Sequence, residues 1–312
     1  IRLPFILRSS YPHEILHDYW GNSVYVDVDS GNWCEGLTAY MADHLMKEVD
    51  GFGHEYRRDV LRKYGSYVQE GQDFPLIEFR SRHSGATEAV GYGKSLMLWH
   101  MIRREMGDES FLQGLRDFYQ QFRYKNASFS DLANCLQQAS AVENWDIPNF
   151  MESWTTNSGA PRFRMQFELG NQSSQITLEQ VQKESPFPLR VPVYFQTLNS
   201  DRWQLSSVEF PSVEDVPRQV TVDLGQGVVS VRIDPHFDVF RKLEPEETPP
   251  TLGDIFGTDQ GLIVLPQKSA DLDLWKEVAT EWARTGNFEV VEDGDPEAGK
   301  KVGASQAVWY FG

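Results

Sequence analysis

His13-Glu14-Ile15-Leu16-His17, followed by Trp33-Cys34-Glu35-Gly36, is the stretch whose reading decides the fold. A helix turns by about 100° per residue, so side chains at i and i+4 share one face. His13 and His17 can therefore offer two imidazole nitrogens to one metal ion. Glu14 follows the first of them and can reach a water on that metal, as the general base of a zinc site does. Such a site needs a third protein ligand and an open position. Glu35 is well placed to be that ligand, and Cys34 beside it is the other candidate. Neighbours on a helix point about 100° apart, so only one of the two faces the site.

The chain has 312 residues, 40% hydrophobic and 13% aromatic, which is room for two or three domains with sizeable cores. Its formal charge of −17 repels phosphate backbones and anionic lipid, so nucleic acid is not an expected partner. Two cysteines, Cys34 and Cys135, make no disulfide framework and read as free thiols. No apolar run approaches the roughly 20 residues that span a bilayer. The chain opens with Ile1-Arg2-Leu3-Pro4 almost on the metal motif and reads as a piece of a longer polypeptide, cut at both ends.

Helical spacing dominates up to about residue 156. One helix carries His13 and ends near Gly21-Asn22. A second runs from about Glu35 to Val49, a third over Tyr56–Tyr64 and a long one over Ala86–Met106. Gly107-Asp108 breaks the last, and helices over Phe111–Tyr119, Ser128–Ser140 and Ile147–Trp154 follow. The period then drops to two. Phe163–Leu169, Gln175–Leu178, Leu189–Phe195, Gln219–Leu224 and Val228–Ile233 read as strands of an antiparallel sandwich. Glu244–Pro250 is acidic and proline-rich, as linkers are. Gly261–Pro266, Leu272–Arg284, Phe288–Val291 and Val308–Phe311 then alternate as strand, helix, strand, strand. The expected architecture is multidomain α+β. A helical catalytic part over 1–158 lacks its N-terminal portion, a β-sandwich occupies 159–245, and a small α/β unit occupies 251–312.

The stretch His13 to Tyr40 resembles the zinc-binding segment of the aminopeptidase N family of gluzincin metallopeptidases. Tyr19-Trp20-Gly21-Asn22 stands where that family has Trp/Phe-Gly-Asn, and Cys34-Glu35-Gly36 where it has Asn-Glu-Gly. The resemblance makes His13, His17 and Glu35 the zinc ligands and Glu14 the base. Tyr92-Gly93-Lys94-Ser95 resembles the family's Tyr-Glu-Lys-Gly segment, which makes Tyr92 the donor that supports the oxyanion. There are departures. Cys34 replaces Asn, Gly93 replaces Glu and Ser95 replaces Gly. The seventeen residues between His17 and Glu35 are one fewer than the family's usual number, a loss expected in the turn around Asp29–Asn32.

The resemblance covers about residues 10 to 165 and implies a zinc peptidase that removes N-terminal residues from peptide substrates. It also implies an upstream domain of the same polypeptide and a full-length protein outside the cytoplasm or at a membrane. The family's Gly-x-Met-Glu-Asn segment, which binds the substrate's α-amine, does not occur in this chain. An endopeptidase, or an inactive binding module of a larger envelope protein, are therefore the alternative readings. Asp43, His44 and His83 are candidates for supporting the ligands, with ordinary surface or packing roles the commoner fate of such residues.

Overall fold

The computed structural model describes residues 4–68, 71–170, 173–213, 215–248, 261–285, 288–294 and 307–311. Two compact units divide the chain, 1–243 and 244–312. The protein is multidomain α+β, and the described residues of each unit are taken in turn.

The first unit begins with α1 (Ser10–Leu16). This helix is shorter than its sequence suggests, because Tyr19 and Trp20 N–H both turn back to the Leu16 carbonyl. His17 keeps helical dihedrals just past its end. The next helix is interrupted. α2 (Cys34–Ala39) passes into a π-helical turn, Tyr40–His44, and then α3 (Leu45–Val49). α4 (Gly53–Tyr67) follows. α5 (Gly85–Glu88), capped by the Ser84 hydroxyl, enters a second π turn, Ala89–Lys94, before α6 (Ser95–Met106). Gly107, at φ +80°, ends α6 and opens α7 (Asp108–Phe122). Ser128 and Asp131 form the capping box of α8 (Phe129–Ala139). Asp146 caps α9 (Ile147–Thr156).

Two short strands, β1 (Tyr25–Val26) and β2 (Asn126–Ala127), pair in parallel within the helical part, and six longer strands follow in two antiparallel three-stranded sheets. β3 (Phe163–Leu169), β4 (Ser174–Gln180) and β7 (Gln219–Gly225) lie in the order β3-β4-β7. β5 (Leu189–Thr197), β6 (Ser200–Phe210) and β8 (Val228–Ile233) lie in the order β6-β5-β8. The sequence did not reveal β6. It is an edge strand, and only Val208 and Phe210 of its residues are buried, so the alternation that marks a half-buried strand is missing from most of it. One hydrophobic core runs through helices and sheets alike, from Trp33 and Trp99 to Ile176 and Val193. Trp154 of α9 joins the two parts: its buried indole donates to the Pro188 carbonyl at 2.8 Å.

His44 and His100 are buried in this core. Burial, with the nearby Arg57 guanidinium, pushes His44 down to about 2 and His100 to about 4. In the unfolded chain both titrate near 6.5, so below that pH the unfolded state binds protons the folded state refuses. Their contribution is complete above about pH 6.5 and is lost as pH falls toward 4, at up to about 1.4 kcal/mol per pH unit for each. Urea unfolding at pH 7, 6 and 5 is expected to show the midpoint dropping across that window. A midpoint flat over it would show that the two rings charge freely in the fold.

In the second unit, β9 (Gly261–Leu265), β10 (Phe288–Glu292) and β11 (Ala307–Tyr310) form a parallel sheet in the order β10-β9-β11. The central β9 is buried throughout, as its unbroken apolar run requires. α10 (Leu272–Thr285) packs Trp275, Val278 and Trp282 against Ile263, Leu265 and Phe311. The end of the expected linker, 249–250, and the first ten residues of the expected α/β unit, 251–260, lie outside the described residues.

Candidate metal centre

α1, α2 and the second π turn meet at one end of the helical part. Gly36 makes the approach possible: a Cβ there would lie 2.1 Å from Ser95 Oγ. The loop before α2 is held from below. Gly31, at φ +100°, lies flat on Ile77, where a Cβ would come within 2.7 Å of its Cα. Asn32 N–H donates to the Phe79 carbonyl at 2.9 Å, and the Asn32 side chain accepts from Cys34 N–H at 3.1 Å. This turn fixes the start of α2, and so aims Glu35.

Three atoms converge there. His13 Nε2 and His17 Nε2 are 3.1 Å apart, and Glu35 Oε2 is 3.7 Å from the first and 3.5 Å from the second. Ligand atoms about 2.0–2.1 Å from one ion, at tetrahedral angles, lie about 3.3 Å from each other. The triangle observed has those proportions. The three residues are also the group of His, Cys, Asp or Glu side chains able to share an ion among the described residues.

The far side of each ring fixes which nitrogen is free. His13 Nδ1 lies 2.9 Å from Asp43 Oδ2, and His17 Nδ1 lies 3.0 Å from the Trp20 carbonyl oxygen. A carbonyl only accepts, and a carboxylate at neutral pH does the same, so each Nδ1 carries a proton and each Nε2 presents a lone pair. Two lone pairs 3.1 Å apart repel unless a cation sits against them. Hydrogen bonding to Asp43 and Glu35 outweighs the cost of burial and raises His13 to about 9. The Cys34 sulfur and Glu35 raise His17 to about 10. Burial opposes the charge of Glu35, but hydrogen bonds with both imidazoles and with the Tyr92 hydroxyl hold it well below the usual carboxylate range. Two imidazoles, which would bind zinc through deprotonated Nε2 atoms, and one ionised carboxylate form a donor set that suits it.

Cys34 takes no part in the triangle. Its sulfur lies 3.8 Å from Nδ1 of His17, on the opposite side of the ring, and burial keeps it a thiol. Both cysteines are free and buried. Glu14 is exposed and lines, with His13, His17, Glu35 and Tyr92, a cleft of about 680 Å³. Tyr92 projects from the second π turn. Burial and the Glu35 carboxylate both raise its hydroxyl, so it remains a donor at neutral pH.

Sequence reasoning undervalued two residues. Asp43 is the carboxylate that orients His13, not a surface group. Lys94 has no role that its sequence context announces. It is buried, and its ammonium donates to the carbonyls of Asn157 at 2.6 Å and Gly159 at 3.1 Å. That ties the turn bearing Tyr92 to the exit of α9. Gly93, where the resembling family has Glu, is buried with Val60 3.1 Å from where its Cβ would stand. His83 bonds Ser81 at the surface, and His44 lies in the core, so neither touches the triangle.

Two histidines and a glutamate thus converge at one point, with the Glu14 carboxylate and the Tyr92 phenol lining the same cleft. The sequence profile of the peptidase family M1 domain matches residues 9–154. Aminopeptidase N of Lactococcus lactis subsp. lactis is 38% identical over 158 residues, covering 48% of this chain and 18% of that protein. The mitochondrial aminopeptidase 2 of Saccharomyces cerevisiae is 28% identical over 156 residues, covering 48% of this chain and 16% of its own length. The crystal structure of Legionella pneumophila aminopeptidase A in complex with aspartic acid superposes with a TM-score of 0.57 at 18% identity, over 74% of this chain and 26% of that one. Over residues 9–154 the chain is similar to the aminopeptidase N-like peptidases of family M1. It spans about a fifth of the length of the curated relatives it matches. No described helix is long and apolar enough to cross a membrane.

Proposed function

We propose that this chain is the metal-bearing part of a zinc peptidase that removes N-terminal residues from peptides. The observation that carries the reading is the triangle of His13 Nε2, His17 Nε2 and Glu35 Oε2 beside Glu14 and Tyr92. Bound there, zinc would lower the pKa of a water and polarise the scissile carbonyl. Glu14 accepts the proton that the attacking water gives up and delivers it to the departing amine. Tyr92 donates its hydroxyl proton to the oxygen on which negative charge gathers. Asp43 and the Trp20 carbonyl hold the two imidazoles in the tautomer the reaction requires. The aminopeptidase names of the relatives support action at a free N-terminus.

Full-length protein assayed on paired peptides, one with a free and one with an acetylated N-terminus, tests the reading. Release of the first residue from the free peptide alone is expected. Internal cleavage of the acetylated peptide would contradict N-terminal trimming, and no hydrolysis of either would contradict the enzyme reading. In the same assay Tyr92→Phe is expected to lower kcat by about 10²–10³-fold with KM little changed, because its hydroxyl acts on charge that exists only in the transition state. A variant with unaltered kcat would remove Tyr92 from the chemistry.

A further inference from the structure

A buried polar network lies behind the metal centre, and the proposed chemistry uses none of it. Arginine can only donate and a carboxylate only accepts, so a neutral His100 carries its proton on Nε2, towards Asp238, and accepts at Nδ1. In one arm Arg103 Nη1 donates to the Tyr40 hydroxyl at 3.3 Å, and that hydroxyl donates to His100 Nδ1 at 3.1 Å. His100 Nε2–H then donates to Asp238 Oδ1 at 2.9 Å. In the other arm Arg57 donates to the same Asp238 oxygen at 2.9 Å and to His44 Nε2 at 2.8 Å. Arg57 also donates to the carbonyls of His236 and Phe237, at 2.9 and 3.0 Å.

Tyr40 and His44 are the first and last residues of the π turn, and Asp43 stands between them. Both ends of the turn that carries His13's carboxylate are thus tied to Asp238. That residue lies beyond the last sandwich strand and outside 9–154. Asp238 is itself pinned, its N–H donating to buried Asp234 at 2.6 Å. π turns are rare, cluster at functional sites and persist where surrounding contacts over-determine them. Released to regular α-helix, this turn would rotate Asp43 by up to about 100° away from His13.

We propose that Asp238 is a positioning residue for the metal centre, holding the π turn through His100–Tyr40 and Arg57–His44 so that Asp43 meets His13. The inference rests on the zinc reading. Its consequence is that the strand-rich part completes the metal site, and is more than support for it.

Zinc affinity of this chain, measured by competition with a chromogenic chelator, tests it without reference to turnover. Asp43→Ala is expected to weaken binding about 10-fold or more, as loss of a ligand-orienting partner does. Asp238→Ala is expected to weaken it by a similar factor, and Tyr40→Phe about 3-fold. Asp43→Ala combined with Asp238→Ala should bind as Asp43→Ala alone does, since the second change acts only through the first. A general loss of structure would instead add to it. Should Asp238→Ala fail to fold, Tyr40→Phe carries the test, because it keeps the ring and deletes one hydroxyl. Unchanged affinity in the folded variants, or full additivity in the double variant, overturns the inference alone. Absence of zinc binding by the unaltered chain overturns the metal reading, and this inference with it.

Discussion

Glu14→Gln in the full-length protein is expected to keep its zinc and lose about a thousand-fold in kcat. The change is nearly isosteric and leaves His13, His17 and Glu35 untouched, so the metal has no reason to leave. What it removes is the group that accepts and returns a proton, and general acid–base catalysis contributes about 10²–10⁴-fold. Among the proposed groups Glu14 is the one placed for that task. Glu35 faces both imidazoles and is held ionised by them, and Asp43 is engaged by Nδ1 of His13. Tyr92 is held protonated. Glu14 is exposed to the same cleft and is bonded to none of them. Turnover within a few-fold of the unaltered enzyme would mean that another base does the work.

The second large effect is on stability. Trp33→Ala is expected to cost about 3–5 kcal/mol, the range for truncating a large buried aromatic. Trp33 is fully buried, stands edge-on to Phe118 at 5.3 Å and to Trp20 at 6.4 Å, and donates its indole proton to the Ala127 carbonyl at 2.7 Å. Its loss leaves a cavity and an unpaired carbonyl beneath the first turn of α2, two residues before Glu35. Urea unfolding of the variant measures the cost. A loss under about 1 kcal/mol would show that the aromatic cluster is not what holds this helix start in place.

The proposed ligands were legible because their geometry is local or carried by motif. His13 and His17 share a face by spacing alone, and Glu35 follows from its place in the Trp33-Cys34-Glu35-Gly36 segment. Asp43 was harder to read. On a regular helix it would stand about 80° round from Glu35, so the two would not both reach His13. The π turn at Tyr40–His44 takes back that rotation, and no residue in Tyr40-Met41-Ala42-Asp43-His44 announces it. Lys94, His100 and Asp238 act through partners 60 to 181 residues away, contacts for which a single sequence carries no pattern. The helices and most strands followed from apolar period and caps. β6 did not, because an exposed edge strand has little to alternate against.

The central claim is that His13, His17 and Glu35 hold one divalent ion. Metal analysis by mass spectrometry of the purified, zinc-supplemented chain tests it, with His13→Ala and His17→Ala variants measured alongside and circular dichroism confirming that all are folded. The account expects one zinc per unaltered chain and its loss from both variants. A folded, unaltered chain with no bound zinc would contradict it.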